Sequence, residues 1–307
     1  MKWTKEGLVF SPSGASEWHR THAHVPLVDK TGPDTYRVYF AARNKLNRSQ
    51  VGYLDASLKD TSKFAIERVS ETPALTYGSP GTFDDSGVFP SSIVNHGGKK
   101  YLYYVGWNQG TTVLFYSWVG LAVSTDGGRV FRRVSEAPIL DRSPDEPISG
   151  LTVFVRKEGP LWRMWYTSGV RWTYKEGRPF SFYNIKYAES QDGVSWKRAG
   201  ITSIGFTHRD EHAIARPWVI KEGKTYRMWY CYKANHREYR IGYAESSDGI
   251  KFRRKDDQAG IDVSPSGWDS EMVAYPCVFK HEGKYHMLYN GNRYGREGFG
   301  HAVMTEP

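Results

Sequence analysis

Acids recur at matching places in this chain. Phe83-Asp84-Asp85-Ser86-Gly87, Asp145-Glu146-Pro147, Asp210-Glu211-His212 and Trp268-Asp269-Ser270-Glu271 each place carboxylates just ahead of an apolar, strand-like run. Carboxylates brought together raise one another's pKa, so one can donate a proton near neutral pH while another stays ionised as base or nucleophile. Cleavage of a glycosidic bond needs that division of labour. Glu146 and Glu211 are candidates for the acid, and Asp84, Asp85, Asp269 and Glu271 for the base or its pKa partner. The alternative is structural, because Asp and Glu at strand starts also cap exposed backbone N–H groups.

One stretch departs from this pattern. Glu17-Trp18-His19-Arg20-Thr21-His22-Ala23-His24-Val25-Pro26 carries no acid near its proline, and His22 and His24 alternate onto one strand face. Two histidines on one strand can move protons or hold an anion. Without a third ligand they specify no metal, and none is assigned. Arg43, Arg48, Arg216 and Arg293, the last following Asn292, add guanidinium groups whose planar fork suits a carboxylate or phosphate. Together with the net charge of +9 they make an anionic sugar or a phosphate a partner to test, and Asp210 and His212 are further substrate-binding candidates. Trp107, Trp172 and Trp268 fall at turns or strand starts, where a ring face could stack on a sugar, whereas Trp165 and Trp229 read as packing.

A repeat positions these residues. Trp218 to Tyr230 and Val278 to Tyr289 each read as an apolar strand, a Gly-containing turn and an alternating strand, with related copies at Ile93 to Tyr104 and Val153 to Tyr166. A second phrase follows each of three hairpins: Val119 to Gly127, Ile185 to Gly193 and Ile241 to Gly249, all ending in Asp-Gly, with Phe131, Trp196 and Phe252 soon after. The Asp-Gly pair makes a tight turn and the aromatic opens a fourth strand. Pro26, Pro90, Pro217 and Pro276 are expected to open the first strands, with separations of 64 and 59 residues and of 127 across one intervening unit. The expected architecture is all-β: a single domain over residues 1–307, a five-bladed β-propeller of four-stranded antiparallel blades, with the N-terminal strand completing the last blade. A β-sandwich, the competing all-β solution, does not explain a four-strand repeat near 60 residues. In a propeller the first strands line the central channel, so the recurrent acids would meet at one mouth.

Composition narrows the class. Aromatic residues make up 15% of the chain and the net charge is +9. The basic residues are scattered without a Lys/Arg tract, which argues against nucleic acid. No apolar run reaches the roughly 20 residues of a membrane span. Nothing at the start resembles a signal peptide, and the two cysteines, Cys231 and Cys277, form no disulfide framework, so a soluble cytoplasmic location is expected.

The repeat and the acids at the blade mouths resemble the five-bladed propeller glycosidases, which include arabinanases, β-xylosidases, invertases and levansucrases, and the mannoside phosphorylases of similar fold. Gly267-Trp268-Asp269-Ser270-Glu271-Met272, Met287 to Asn292 and Phe299-Gly300-His301-Ala302-Val303 are similar to a glycosidase-like branch that accompanies surface-polysaccharide biosynthesis. The resemblance implies a glycoside hydrolase-like enzyme acting on a carbohydrate without a cofactor, with Asp84 or Asp85 as the pKa-tuning acid and Glu146 as the proton donor. The Asp expected from the first blade is absent, and His22 or His24 stands in its place. The phosphorylases imply a second route: Asp85 as the acid, with Arg43, His212, Arg216 or Arg293 holding a phosphate nucleophile. A sugar-binding propeller without catalysis is the third reading, since fold does not dictate function. Ser124 to Phe131 also resembles the Asp-box turn of sialidases, a hairpin mark remote from their active site.

Overall fold

The computed structural model describes residues 1–14, 16–59 and 63–306. After β1 (Lys2–Phe10), the strands fall into runs joined by short turns. The first run is β2 (Thr21–Lys30), β3 (Thr35–Arg43), β4 (Ser49–Ser57) and β5 (Ala65–Val69). Next come β6 (Gly87–His96), β7 (Lys99–Gln109), β8 (Phe115–Ser124) and β9 (Arg132–Arg133), then β10 (Val153–Glu158), β11 (Leu161–Lys175), β12 (Arg178–Ser190) and β13 (Lys197–Ile204). β14 (Glu211–Glu222), β15 (Thr225–Ala234), β16 (Arg237–Ser246) and β17 (Arg253–Arg254) precede β18 (Ala274–His281), β19 (Lys284–Asn290) and β20 (Phe299–Glu306).

Within each run, consecutive strands pair antiparallel. Single parallel bridges, Ser49 to Gly87 and Tyr183 to Ala213, tie a third strand to the first strand of the next run. β1 lies antiparallel on β20, with Trp3 opposite Met304 and Lys5 opposite Ala302. The two ends of the polypeptide therefore share one sheet. The protein is all-β, and no helix among the described residues is long and apolar enough to cross a membrane.

The Asp-Gly phrases become interlocks between runs. In Ser124-Thr125-Asp126-Gly127 the Asp126 carboxylate accepts the N–H groups of Arg129 and Val130, and Asp192 and Asp248 repeat the arrangement with Val194 and Ser195 and with Ile250 and Lys251. Turn carbonyls then receive a donor from the preceding run. The Tyr39 hydroxyl reaches Gly128, that of Tyr103 reaches Gly193, and the Trp165 indole reaches Gly249, each at 2.8 Å. Aromatic second-strand residues thus bind neighbouring runs together as well as filling the space between them.

The prolines do not open the first strands as expected. Pro26, Pro217 and Pro276 sit at bulges inside β2, β14 and β18, where the register slips between His24 and Leu27, Ala215 and Trp218, and Ala274 and Cys277. A bulge is where a strand tolerates a residue without an N–H. The residue before each proline takes a left-handed backbone: Val25 at φ 55°, Arg216 at φ 55° and Tyr275 at φ 57°. Such a conformation costs a non-glycine residue about 1–2 kcal/mol. The bulge also frees the Arg216 N–H to bond the Thr152 hydroxyl at 2.9 Å. The Arg216 guanidinium reaches the Ser91 carbonyl on β6 and the Pro26 carbonyl on β2, so one side chain braces several first strands.

Candidate functional site

The four recurrent acids share one local chemistry. Asp84, wholly buried, accepts the Tyr104 hydroxyl at 3.1 Å and the Arg133 guanidinium at 2.8 Å. Glu146 accepts Tyr166 at 2.7 Å, Lys186 at 2.9 Å and Arg198 at 2.9 Å. Asp269 accepts Tyr289 at 3.0 Å and Lys5 at 2.7 Å. In the fourth run the task is divided: Arg254 binds Glu211 at 2.7 Å and also Asp256, which takes the Tyr230 hydroxyl. In each of these runs a lead-in acid meets a cation from the outermost strand or its margin, and a second-strand tyrosine completes the set.

The third strand makes room for this latch. A Cβ on Gly120 would stand 2.3 Å from the Tyr104 ring, and one on Gly242 would stand 2.6 Å from both the Tyr230 ring and Asp256. In the third run the same position is Lys186, whose ammonium joins Glu146 instead. Burial alone would raise the Glu146 carboxyl, but hydrogen bonds from Tyr166 and Lys186 and the charges of Lys186 and Arg198 hold it below its ordinary value. Glu211 is likewise held low against its burial by Arg254 and the Thr207 N–H. A proton donor at neutral pH needs the opposite shift.

The first run has an apolar version. Phe40 stands where the other runs have tyrosine, and Trp18 packs on it with ring centroids 5.6 Å apart. A Cβ on Gly52 would lie 2.0 Å from the Trp18 ring, and the Trp18 indole donates to the Ser70 carbonyl at 3.2 Å.

Other residues converge at the strand ends beside these latches. His22 and His24 lie with ring centroids 6.0 Å apart, and His24 faces Phe89. Burial, with the charges of Arg43 and Arg296, pushes His22 down to about 4, and burial near Arg43 pushes His24 well below its usual value. Both are neutral at pH 7. Arg43 binds Asn47 through one terminal nitrogen, while its buried Nε and the buried Nε2 of His24 have no hydrogen-bond partner. Across the same end, His212 lies under Phe180 at 4.2 Å with its Nε2 also unpartnered, and burial lowers its pKa. Tyr183 and Tyr239 share a hydroxyl–hydroxyl bond, and Tyr275 and Tyr294 each lie 6.2 Å from Tyr239. Lys233 joins Tyr294 to Glu238. Burial raises the phenols of Tyr183, Tyr239 and Tyr275, so they stay protonated.

Asp85, next to the latch acid Asp84, is held by neutral donors. It accepts the Gly81 N–H at 2.9 Å, the Asn108 amide at 2.7 Å and the Ser86 hydroxyl. Against some burial, these bonds and the nearby charge of Arg48 keep it ionised. Arg48 lies over the Tyr77 ring, and Trp107 donates to the Ser49 hydroxyl at 2.9 Å.

No protein-family model matches the sequence. The uncharacterised protein Rv1502 of Mycobacterium tuberculosis H37Rv is 40% identical over 304 residues, covering 99% of both proteins. The protein belongs to the Rv1502 family. MT1551 of M. tuberculosis CDC 1551, also described as uncharacterised, matches to the same extent. Among solved structures, this Rv1502-family protein resembles BT0996 in its complex with RGII, at a TM-score of 0.77 and 19% identity over 99% of this protein and 91% of that one. It also resembles a thermostable family-43 glycoside hydrolase, at a TM-score of 0.69 and 17% identity over 92% and 88% of the two proteins. A third is a structure from the GH130 family of mannoside phosphorylases, described as containing hydrolases of β-1,2 mannosidic linkages in Candida mannan, at a TM-score of 0.70 and 16% identity over 98% and 93%. The fold is that of the propeller glycosidases, as the sequence resemblance implied.

The remaining expected site residues of this Rv1502-family member are dispersed. Arg216 is fully buried in the bracing role described above, and burial lowers its pKa to about 10, so it stays charged. Asp210 pairs with His236 at 3.0 Å. Asn292 accepts the backbone N–H groups of Glu271 and Met272, while the Glu271 side chain is exposed, as is Arg293. Trp268 packs on Tyr289 over Gly291 and Gly300, and Trp172 meets Phe115 edge-on at 5.7 Å. Sequence reasoning missed Tyr183, Tyr239, Tyr275, Tyr294, Lys233 and Glu238. Only Tyr275 left a signal, since it precedes a register proline as Arg216 does.

Proposed function

We propose that this protein is a five-bladed propeller, closed by β1 in its last blade, that acts as a cytoplasmic glycoside hydrolase-like enzyme on a sugar carrying a negative group. One observation carries the reading: His24, His212 and Arg43 have buried nitrogens without hydrogen-bond partners. A buried polar nitrogen left without a partner costs about 1–3 kcal/mol, a cost that a bound ligand would relieve.

In this reading Arg43, with His22 and His24, holds the carboxylate or phosphate of the substrate. Neutral imidazoles suit that role because either ring nitrogen can donate to the anion while the guanidinium supplies charge. Asp85, ionised and close to Arg48, serves as the carboxylate that activates a nucleophile, and the phenols orient sugar hydroxyls. Asp84, Glu146, Glu211 and Asp269 serve as blade latches, because each is committed to a cation of its own sheet.

The test is turnover of a panel of glycosides of acidic and neutral sugars, with and without inorganic phosphate. Asp85→Asn should abolish turnover and Arg43→Met should weaken it selectively for acidic sugars. Unchanged turnover in Asp85→Asn would overturn the assignment. A dependence on phosphate would make the reaction a phosphorolysis with Arg43 as the phosphate group's holder. The commitment of four acids to latches also supports a second reading, sugar binding without catalysis. Saturable glycan binding with no product from any panel member would favour it.

A further inference from the structure

The first and last runs also meet at the other end of their strands, far along β2 and β18 from His22 and Tyr275. There the β2–β3 hairpin brings Asp34, and the β18–β19 hairpin brings His281 and Glu282. One potential ligand atom from each of the three lies within 4.8 Å of the others. His281 is only 2% exposed. Its Nδ1 lies 2.8 Å from the Tyr36 hydroxyl, which leaves Nε2 for a ligand, and that atom is buried without a hydrogen-bond partner.

We propose that Asp34, His281 and Glu282 form a zinc site that clasps the first run to the last. An imidazole nitrogen with two carboxylates is a donor set suited to zinc, with the fourth position left to water, whereas calcium and magnesium favour oxygen-only sets. Ligation through Nε2 requires the proton on Nδ1, and the Tyr36 oxygen is placed to receive it. An outer partner of that kind fixes the tautomer and orientation of metal-binding histidines. Two carboxylates meet at the hairpins, and the Lys30 ammonium lies 5.8 Å from the Tyr36 ring centroid. A dication would neutralise the charge of the two carboxylates. Because the ligands come from opposite ends of the polypeptide, metal binding would stabilise ring closure. The site is independent of the reading of Asp85 and Arg43.

The experiment uses the full-length protein. Protein is incubated with zinc chloride and desalted, bound metal is measured by plasma mass spectrometry, and melting is followed in zinc and in EDTA. One zinc per molecule is expected, with a melting temperature that rises in zinc and falls back in EDTA. Asp34→Asn with Glu282→Gln, changes at exposed or half-exposed side chains, should remove both the bound zinc and the shift. Manganese and calcium should give smaller shifts. Absence of zinc after desalting, or zinc bound equally by the double variant, would overturn the proposal, the latter moving the metal to histidines such as His22 and His24. Zinc bound without any change in melting would overturn the clasp.

Discussion

The first run and the four that follow solve one packing problem with opposite chemistry. Between first, second and third strands, the later runs bury a carboxylate and a tyrosine hydroxyl and meet them with a half-buried cation, whereas the first buries Trp18 on Phe40 over Gly52. The indole fills its space and satisfies its single donor on the Ser70 carbonyl, so no charge has to be desolvated. A buried ion pair gains little over such a filling, but losing one partner strands the other. The polar runs should therefore be the brittle ones. The first run, which has no latch acid, is also where Arg43, His22 and His24 stand.

The largest expected effect is that of Asp84→Ala, which leaves Arg133 facing a cavity and should cost about 3–5 kcal/mol in urea denaturation. Trp18→Ala should cost a similar or slightly smaller amount, about 3–4 kcal/mol, through the cavity and the lost indole bond to the Ser70 carbonyl. A much smaller loss for Asp84→Ala than for Trp18→Ala would break the comparison. The two classes should also differ in acid. Glu146 and Glu211 have folded pKa values depressed below the ordinary 4.5, so their contribution is fully present above that pH and is lost as pH falls through their folded values. Glu146→Gln should flatten the loss of stability below about pH 4.5, and Trp18→Ala should leave that slope as it is. Exchanging the chemistries gives smaller effects. Phe40→Tyr buries a hydroxyl where no latch acid waits and should cost about 1–3 kcal/mol, while Tyr289→Phe removes one bond to Asp269 and should cost about 1 kcal/mol.

Much of the fold was legible because hairpin phrases, Asp-Gly turns and their following aromatics repeat with the strand period. The equivalence of the four acids was legible too. Their partners were harder to see, because Tyr104, Tyr166 and Tyr289 lie a strand away and the cations come from outer strands. Yet Phe131-Arg132-Arg133, Trp196-Lys197-Arg198, Phe252-Arg253-Arg254 and Trp3-Thr4-Lys5 repeat one aromatic-x-basic pattern that would have named them. The register prolines were found but placed at strand starts, since a bulge leaves the same local signature as an opening residue. The tyrosines around Tyr239 come from β12, β16, β18 and the turn after β19, at positions that do not repeat, so no periodicity exposes them.

The central claim is that each recurrent acid latches the strands of its own sheet, while the proposed ligand chemistry belongs to Arg43, His24, His212 and Asp85. Urea unfolding of Glu146→Gln at pH 7, beside the double-mutant cycle with Arg198→Met, tests it most directly. The account predicts a loss of about 1.5–3 kcal/mol, most of it shared with Arg198 as coupling. A loss below about 0.5 kcal/mol, the size expected of an exposed pair, together with abolished glycan turnover or binding, would contradict it and return Glu146 to the chemistry.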